Sequence, residues 1–255
     1  MAKAAGTIAA LVGFVAATST AAVENPAEVT GWRLLEGALD LTRGVSSYTE
    51  LTMTIHRPSW EREMAISAWT RGREDALIRF TAPPKSAGVA TLKRGDRMWT
   101  YAPRIGREFS LPSSMMSQQW EGSDFSYNDL SRTDKYLRHY DVGIAHTEER
   151  GGHTIYTLEL IPHDDAPVVW GKETLILRDD YVILAQTFYD QGLEPLKRMQ
   201  TLEVGELGGR TIPITMRMSP VGEDDRWTEI RYLRADFEAD VDDGLFTTFA
   251  LRGGR

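Results

Sequence analysis

The residue types that carry out acid–base or metal chemistry are present in this sequence but are not arranged for it. Five histidines occur, none at a spacing typical of a zinc site and none beside a plausible nucleophile: His56, His139, His146, His153 and His163. There is no cysteine, which excludes thiolate ligands, cysteine nucleophiles and disulfides. We therefore expect no metal site and no other cofactor.

Adjacent aspartates occur four times, and each pair falls in a predicted turn. The pairs are Asp164–Asp165, Asp179–Asp180, Asp224–Asp225 and Asp242–Asp243. Neighbouring residues of a turn point apart, whereas a general acid and its base must converge on one substrate. These pairs are therefore predicted to be solvated turn residues.

One serine invites comparison with a hydrolase nucleophile. Ser123 lies between Gly122 and Asp124, but no nucleophile-elbow, phosphate-loop or dinucleotide-binding motif surrounds it. No histidine is placed to activate it, and serine or aspartate before a helical turn is more often a cap. We predict that the protein is not an enzyme.

These residues belong to a segment, residues 88–132, that changes from strand to helix. Residues 89–94 and 97–101 are β-prone and flank Gly95-Asp96, which is typical of a hairpin turn, and residues 107–111 give a third short strand. Ser113 and Ser114 can then cap a short helix whose apolar side is Met115, Met116 and Trp120. Gly122 ends it, and Ser123 or Asp124 can cap a second turn through Asn128 and Leu130.

Strands dominate the rest of the chain. Residues 30–41 form an amphipathic helix with Trp32, Leu35 and Ala38 on one side, ended by Gly44. Further strands are predicted at residues 47–57, 64–69, 76–81, 140–145, 154–161, 170–177, 182–189, 196–204, 211–218 and 227–237. About a dozen strands at regular spacing indicate a sandwich or barrel. After them, Phe246 and Phe249 are expected to fold back onto the sheet.

Several strands carry apolar residues in both alternating phases, so both faces of the sheet need cover. Leu77 opposes Ile78 and Phe80, for example, and Met98 opposes Trp99. Two interpretations stay open from the pattern. Either the interior is filled, with the methionines as ordinary core, or one face lines a hollow, as in small ligand-holding barrels.

The beginning of the chain and its net charge predict where the protein is located and what it does not bind. Lys3 followed by the apolar residues 4–17 predicts a secretory signal peptide, residues 1–22, and one mature domain, residues 23–255. A disordered N-terminus or a membrane anchor are the alternatives. With 29 basic and 37 acidic residues, a net charge of −8 argues against binding nucleic acid or an anionic membrane.

Two motifs carry a resemblance to a known family. GDRMWTYAP, residues 95–103, is similar to the hairpin of the outer-membrane lipoprotein-sorting family, the LolA-like carriers, and GSDFSYNDL, residues 122–130, resembles the signature of one branch of it. The resemblance implies a mainly β fold with a few short helices: an unclosed antiparallel β-barrel with a helical lid over an apolar cavity.

The same resemblance implies a function. It is that of a periplasmic carrier or chaperone, acting as a monomer, that binds the acyl chains of lipoproteins or lipids and passes them from an inner-membrane transporter to an outer-membrane acceptor, with no role for nucleic acid. An alternative is an accessory lipid-binding protein of a resistance-nodulation exporter, or an envelope-stress sensor. Methionine suits such a lid because its thioether repacks around varied ligands.

Site residues follow from these expectations. Cavity and lid positions are predicted at Trp69, Phe80, Met98, Trp99, Tyr101, Phe109, Met115, Met116, Trp120, Phe125 and Leu130. Arg71 is the expected latch between lid and barrel, with Arg73 as a competing candidate. The signature residues Gly122, Ser123, Asp124, Tyr127 and Asp129 are expected to be structural, and none of these residues is expected to bind a metal.

Overall fold

The fold was analysed in a computed structural model that describes residues 29–131, 135–166 and 168–253. The predicted signal peptide and its cleavage site lie outside the described residues. Within those three ranges, no helix has both the length and the apolar character needed to cross a membrane.

Thirteen strands and a few short helices make up the structure. The strands are β1 Ser46–Arg57, β2 Trp60–Arg71, β3 Asp75–Ala82, β4 Ala90–Arg94, β5 Arg97–Ala102, β6 Arg107–Ser110, β7 Tyr140–Arg150, β8 His153–Pro162, β9 Lys172–Arg178, β10 Ile183–Tyr189, β11 Pro195–Leu207, β12 Arg210–Pro220 and β13 Trp227–Asp236. The α-helices are α1 Gly31–Leu41, α2 Tyr127–Ser131, α3 Tyr136–His139 and α4 Thr248–Leu251, and 3₁₀ turns occur at Ser113–Met115 and Asp243–Phe246.

All thirteen strands belong to one antiparallel sheet, in the order β6-β5-β4-β3-β2-β1-β13-β12-β11-β10-β9-β8-β7. Consecutive strands pair with each other except β6 and β7, and β1 also pairs with β13, which joins the two halves of the chain. The strands β6 and β7 lie at the two outer edges and do not pair with each other. The predicted fold class, mainly β and unclosed with a few short helices, is confirmed.

Different segments cover the two faces of the sheet, because successive side chains of a strand point to opposite sides. On the inner face lie α1 and residues 113–131, which we call the lid segment. It packs on a core that includes Met53, Ile66 and Phe80. The outer face of β3 to β5 is covered instead by the C-terminal segment, where Phe246 and Leu251 pack on strand residues. Two covered faces explain why apolar residues occupy both phases of these strands.

Helix α1 begins and ends where its sequence predicts. The Thr30 Oγ1 accepts a hydrogen bond from the Arg33 backbone N at 3.3 Å, and the Gly44 N donates to the Asp40 O at 3.0 Å. Its buried side is formed by Leu34, Leu35 and Ala38, which pack on the inner face of β8 and β9. The expected inward position of Trp32 is wrong, since this side chain is 37% exposed.

The C-terminal segment folds back onto the sheet through one aromatic residue of the expected two. Phe246 is buried, whereas Phe249 is 60% exposed. Phe249 lies within α4, where helical geometry turns the neighbouring Ala250 and Leu251 toward the sheet. The segment is fastened by Arg79, whose Nη2 donates to the Ala250 O at 2.6 Å.

The C-terminal segment therefore contributes core packing through Phe246 but not through Phe249. Phe246→Ala should lower the free energy of unfolding by about 3–5 kcal/mol, because it removes a buried ring and leaves a cavity. The matched control Phe249→Ala should change it by less than about 0.5 kcal/mol. Urea unfolding of both variants measures this, and equal losses would contradict the assignment.

Candidate functional site

An internal cavity of about 280 Å³ lies between α1, the lid segment and the inner face of β1, β2, β3 and β13. Its lining is Ala38, Leu39, Thr42, Arg43, Ser47, Thr49, Leu51, Ile66, Ala68, Thr70, Ala76, Ile78, Trp120, Asp129, Leu130, Ile183, Ile230 and Tyr232. Pockets that hold small molecules measure about 300–1,000 Å³, so this one is slightly smaller than that range. Apolar side chains predominate.

Polar and apolar lining residues are separated along the strands. Ser47 and Thr70 face each other across β1 and β2, with their hydroxyl oxygens 2.6 Å apart. Four residues further along β1, Leu51 is paired with Ile66. Strands rise about 3.3 Å per residue, so the cavity passes from hydroxyl-lined to hydrocarbon-lined over about 13 Å.

Trp120 closes the apolar end of the cavity. Its side chain is fully buried, its ring lies 5.2 Å from the ring of Phe80, and its Nε1 donates to the Thr91 Oγ1 at 3.1 Å. The hydrogen bond satisfies the indole N–H, and the remainder of the ring is apolar. The lid segment thus presents a rigid aromatic wall to the cavity.

Most of the lid segment is irregular backbone held by local hydrogen bonds. Gln119 and Ser126 form an isolated antiparallel bridge, and the Trp120 N donates to the Phe125 O at 2.8 Å. Helix α2 follows, with a reciprocal cap: the Ser126 N donates to the Asp129 Oδ2 at 2.7 Å, and the Asp129 N donates to the Ser126 Oγ at 3.2 Å.

Two sequence-based expectations for this segment are wrong. The predicted helix that begins at Ser113 is a single 3₁₀ turn, Ser113–Met115. The cap of the second helical turn is Ser126, not Ser123 or Asp124. Ser123 instead bonds to the backbone of Phe125, and α2 does not begin until Tyr127.

Asp124 is the centre of the interactions that hold the lid segment on the sheet. Its side chain is only 2% exposed. Its carboxylate accepts hydrogen bonds from Arg57 at 3.0 and 3.2 Å, from the Arg226 Nε at 3.0 Å and from the Thr228 Oγ1 at 2.7 Å. The Asp124 backbone N donates back to the Thr228 Oγ1 at 2.9 Å. We call Asp124, Arg57, Arg226 and Thr228 the clasp.

Further contacts extend this attachment to two more strands. Arg57 Nη2 also donates to the Gly122 O at 3.0 Å, and Arg62 of β2 donates to the Glu121 O. Lys197 of β11 forms an ion pair with Asp129. Gly122 has a positive φ of 76°, a backbone conformation that favours glycine and lets its carbonyl turn toward Arg57.

Neither arginine proposed from the sequence as a latch contacts the lid segment. Arg71 pairs with Asp75 at 2.7 Å and with Asp243, and its guanidinium lies 4.9 Å from the centre of the Phe246 ring. It therefore fastens the C-terminal segment to the outer side. Arg73 pairs with Glu36 and Asp40 of α1.

The predicted cavity residues are distributed over several places. Trp120 and Leu130 line the cavity, while Phe80, Met98, Phe125, Met115 and Met116 pack in the adjoining core without lining it. Trp69, Trp99 and Tyr101 are on the outer face with Phe246, because each alternates with an inward residue of its strand. Phe109 lies on the edge strand β6 and is 43% exposed. The assignment of Trp69, Trp99, Tyr101 and Phe109 to the cavity is therefore wrong.

Sequence reasoning missed most of the actual lining and all the cations of the clasp. The alternation of Ser47, Thr49 and Leu51 was visible, but which phase faces inward depends on where α1 packs. A buried carboxylate such as that of Asp124 requires positively charged partners, but its partners Arg57 and Arg226 lie far from it in the sequence.

Two ionisable groups in and near the cavity are shifted by burial. Burial raises the pKa of the Glu121 carboxyl, and the positive charge of Arg62 acts against that rise. Burial likewise raises the pKa of the Tyr232 hydroxyl, opposed by the charge of Arg43. Both groups therefore favour their protonated, neutral forms more than they would in water.

One group of described residues, on the surface away from the cavity, brings three potential cation ligands within 4.8 Å of one another: His153, Asp179 and Asp180. The Asp179 carboxylate is engaged by His153 Nδ1 at 2.7 Å, which lowers its pKa, and Asp180 is paired with Arg178. These contacts account for the cluster as ordinary surface ion pairs.

Comparison with known proteins places the chain beside several relatives. A family model described as "Uncharacterized protein" matches residues 72–253. Among curated proteins, none matches the sequence. A DUF1329 family protein from Desulfovibrio piger has a solved structure that is 20% identical with a TM-score of 0.76, over 87% of this chain and 97% of that one.

Two further solved structures are similar over nearly the same extent. A putative outer-membrane lipoprotein-sorting protein domain from Vibrio parahaemolyticus is 20% identical with a TM-score of 0.74, covering 86% of this chain and 97% of its own. A LolA superfamily protein from Nitrosomonas europaea is 20% identical with a TM-score of 0.72, covering 86% and 98%. At this identity the likeness concerns the fold.

Loss of the clasp should release the lid segment. Asp124→Asn keeps the shape of the side chain but leaves two arginines without their carboxylate, so it should cost about 3 kcal/mol of stability. Amide exchange across residues 113–131 should accelerate while β1 stays protected. The control Asp96→Asn alters an exposed ion pair with Arg138 and should change neither quantity. Unchanged exchange in Asp124→Asn would contradict the clasp.

The raised pKa of Glu121 predicts that its charged form destabilises the folded protein, so that the effect depends on pH. The folded state favours the protonated carboxyl of Glu121. The stability that this protonated group contributes is fully present below the unfolded-state pKa and is lost as pH rises through the folded-state pKa. Glu121→Gln should therefore raise the urea midpoint at pH 7 and have no effect below about pH 4. The exposed control Glu148→Gln should show no such difference. A lower urea midpoint for Glu121→Gln at pH 7 would contradict the prediction.

Proposed function

Because the chain belongs to a LolA-like family of uncharacterized proteins, we propose that it is a periplasmic carrier that shields acyl chains of a lipoprotein or lipid. It acts by binding and not by catalysis. We propose an inner-membrane transporter as its donor, an outer-membrane protein as its acceptor and a monomer as the active form. The observation that carries the proposal is the apolar cavity beneath the lid segment.

Acyl-chain burial supplies the binding energy in this proposal. Each methylene moved from water into an apolar site contributes about 0.8 kcal/mol, so ten of them contribute about 8 kcal/mol before the costs of association. Leu51, Ile66, Ile78 and Ile230 offer branched hydrocarbon to such a chain, and Trp120 offers a ring face. No covalent chemistry is required.

The lid segment sets the capacity of the site. At about 280 Å³ the cavity accommodates a single chain of limited length in this closed arrangement. A lipoprotein anchor with several chains needs the lid segment to move away from the inner face. The clasp supports such movement, because a few specific ion pairs can open without unravelling the sheet behind them.

A carrier must also release its bound cargo. Hydrophobic binding is non-directional, so cargo leaves only when a competing apolar surface or a change in the lid lowers its affinity. A partner whose own charged groups compete for Arg57 or Arg226 at the exposed side of the clasp would have that effect. Arg226 is the more accessible of the two, with 31% of its side chain exposed.

Filling the cavity should abolish cargo binding. Ala68 lies on the inner face between Thr49 and Ile78, so Ala68→Phe places a ring within the cavity. Ala65, on the opposite face of the same strand, gives the matched control Ala65→Phe. We expect lipid in organic extracts of the wild type and of the control after purification from a native periplasm, and little in folded Ala68→Phe. Mass spectrometry measures it, and an unchanged load in Ala68→Phe would refute the proposal.

A further inference from the structure

The charged groups of the cavity already have partners within the protein. Among the described lining residues, only Arg43 and Asp129 are charged. Arg43 donates to the Gly72 O at 3.1 Å and to the Asp75 O at 3.2 Å, and Asp129 forms an ion pair with Lys197. Because both charged side chains are engaged, the cavity does not call for a ligand of opposite charge.

Two neutral hydroxyls of the lining are in a different position. Thr49 is only 6% exposed, and Tyr232 lies deep in the protein on β13. Both line the cavity, and neither the Thr49 Oγ1 nor the Tyr232 hydroxyl forms a hydrogen bond with a residue in the described ranges. A buried hydroxyl without a partner is costly, so both positions fit a ligand that supplies one.

The sheet register brings these two residues to the boundary between the polar and apolar parts of the lining. Tyr232 is paired with Leu51 across β13 and β1, and Thr49 is the preceding inward residue of β1, about 7 Å along the strand. The charge of Arg43 opposes the burial-driven rise of the Tyr232 pKa, so the hydroxyl lies on the polar side of this boundary.

The chemistry of this boundary suits a neutral oxygen acceptor. Because its pKa is raised, the Tyr232 hydroxyl stays protonated at neutral and mildly alkaline pH and can donate a hydrogen bond. An anionic group buried here would lack a cation that is not already engaged, and burial of such a charge is unfavourable. A carbonyl oxygen needs only the donor.

We propose that the cavity binds an acyl chain through the neutral carbonyl of its ester or amide linkage, with the carbonyl oxygen accepting a hydrogen bond from Tyr232 and the chain running toward Trp120. This rests on the proposed carrier function and adds the substrate class and its orientation. The linkage lies beside Thr49, so the alcohol or amine part of the ligand occupies the hydroxyl-lined end. The apolar inward residues of β1, β2 and β13 contact the chain.

Matched probes separate the carbonyl from the chain. The ester 1-dodecanoylglycerol and the ether 1-O-dodecylglycerol share a neutral glycerol and a twelve-carbon chain, and only the ester has a carbonyl. In calorimetric titration of the delipidated protein, we expect the ester to bind about fivefold more tightly than the ether, the effect of one neutral hydrogen bond. Dodecanoate should bind no more tightly than the ester. The amide 3-dodecanamido-1,2-propanediol shows which linkage is preferred.

Two tyrosine variants test the orientation. Tyr232→Phe should weaken binding of the ester about fivefold and change binding of the ether by less than about twofold, because only the carbonyl uses the hydroxyl. Tyr48→Phe is the matched control: its hydroxyl bonds to Glu50 and its ring lies against Trp69 on the outer face, so every probe should bind as in the wild type.

The outcomes that overturn this inference differ from those that overturn the carrier function. Equal affinity for the ether and both carbonyl probes, tighter binding of dodecanoate than of either, or no effect of Tyr232→Phe would refute the carbonyl site while leaving a carrier of acyl chains. Absence of binding by every probe, in protein whose thermal unfolding shows it to be folded, would refute the proposed function itself.

Discussion

A sheet with apolar residues on both faces must be covered on both faces, and the remainder of this structure follows from that requirement. The C-terminal segment covers the outer side of β3 to β5 through Phe246 and Leu251. The inner side receives α1 and the lid segment, which are too short to fill the space that they enclose. The residual volume is the cavity, so the same shortage of helix that limits the core creates the site.

Buried ion pairs fix the position of the lid segment over that cavity, where Trp120, Phe125 and Tyr127 also pack into the core. Asp124 meets two arginines and Thr228, and Asp129 meets Lys197, with side chains mostly withdrawn from water. Such buried pairs add little net stability, but they are costly to leave half-made, so they favour a defined closed position.

Much of the fold was predictable, because strand periodicity is local. Nearly every strand, α1 with its Thr30 cap and the unclosed sheet matched expectation. The site was less accessible to sequence reasoning: Trp69, Trp99 and Tyr101 looked suited to an apolar cavity, but strand parity puts them outside. The clasp was missed because Arg57, Asp124 and Arg226 converge only through the pairing of β1 with β13, a contact between residues near opposite ends of the chain. The motif identified Asp124 and Asp129, but their positively charged partners could be identified only from the structure.

The proposed carrier function requires an acyl chain to occupy the inner-face cavity. A dodecanoate with a photoreactive diazirine at its terminal carbon tests it directly, because peptide mapping of the cross-links reports where the chain end lies. We expect labelling of Trp120, Leu130 and the inward residues of β1 and β2, and loss of labelling with excess unlabelled dodecanoate. Labelling concentrated on Trp69, Trp99 or the exposed Phe249, insensitive to competitor, would contradict it.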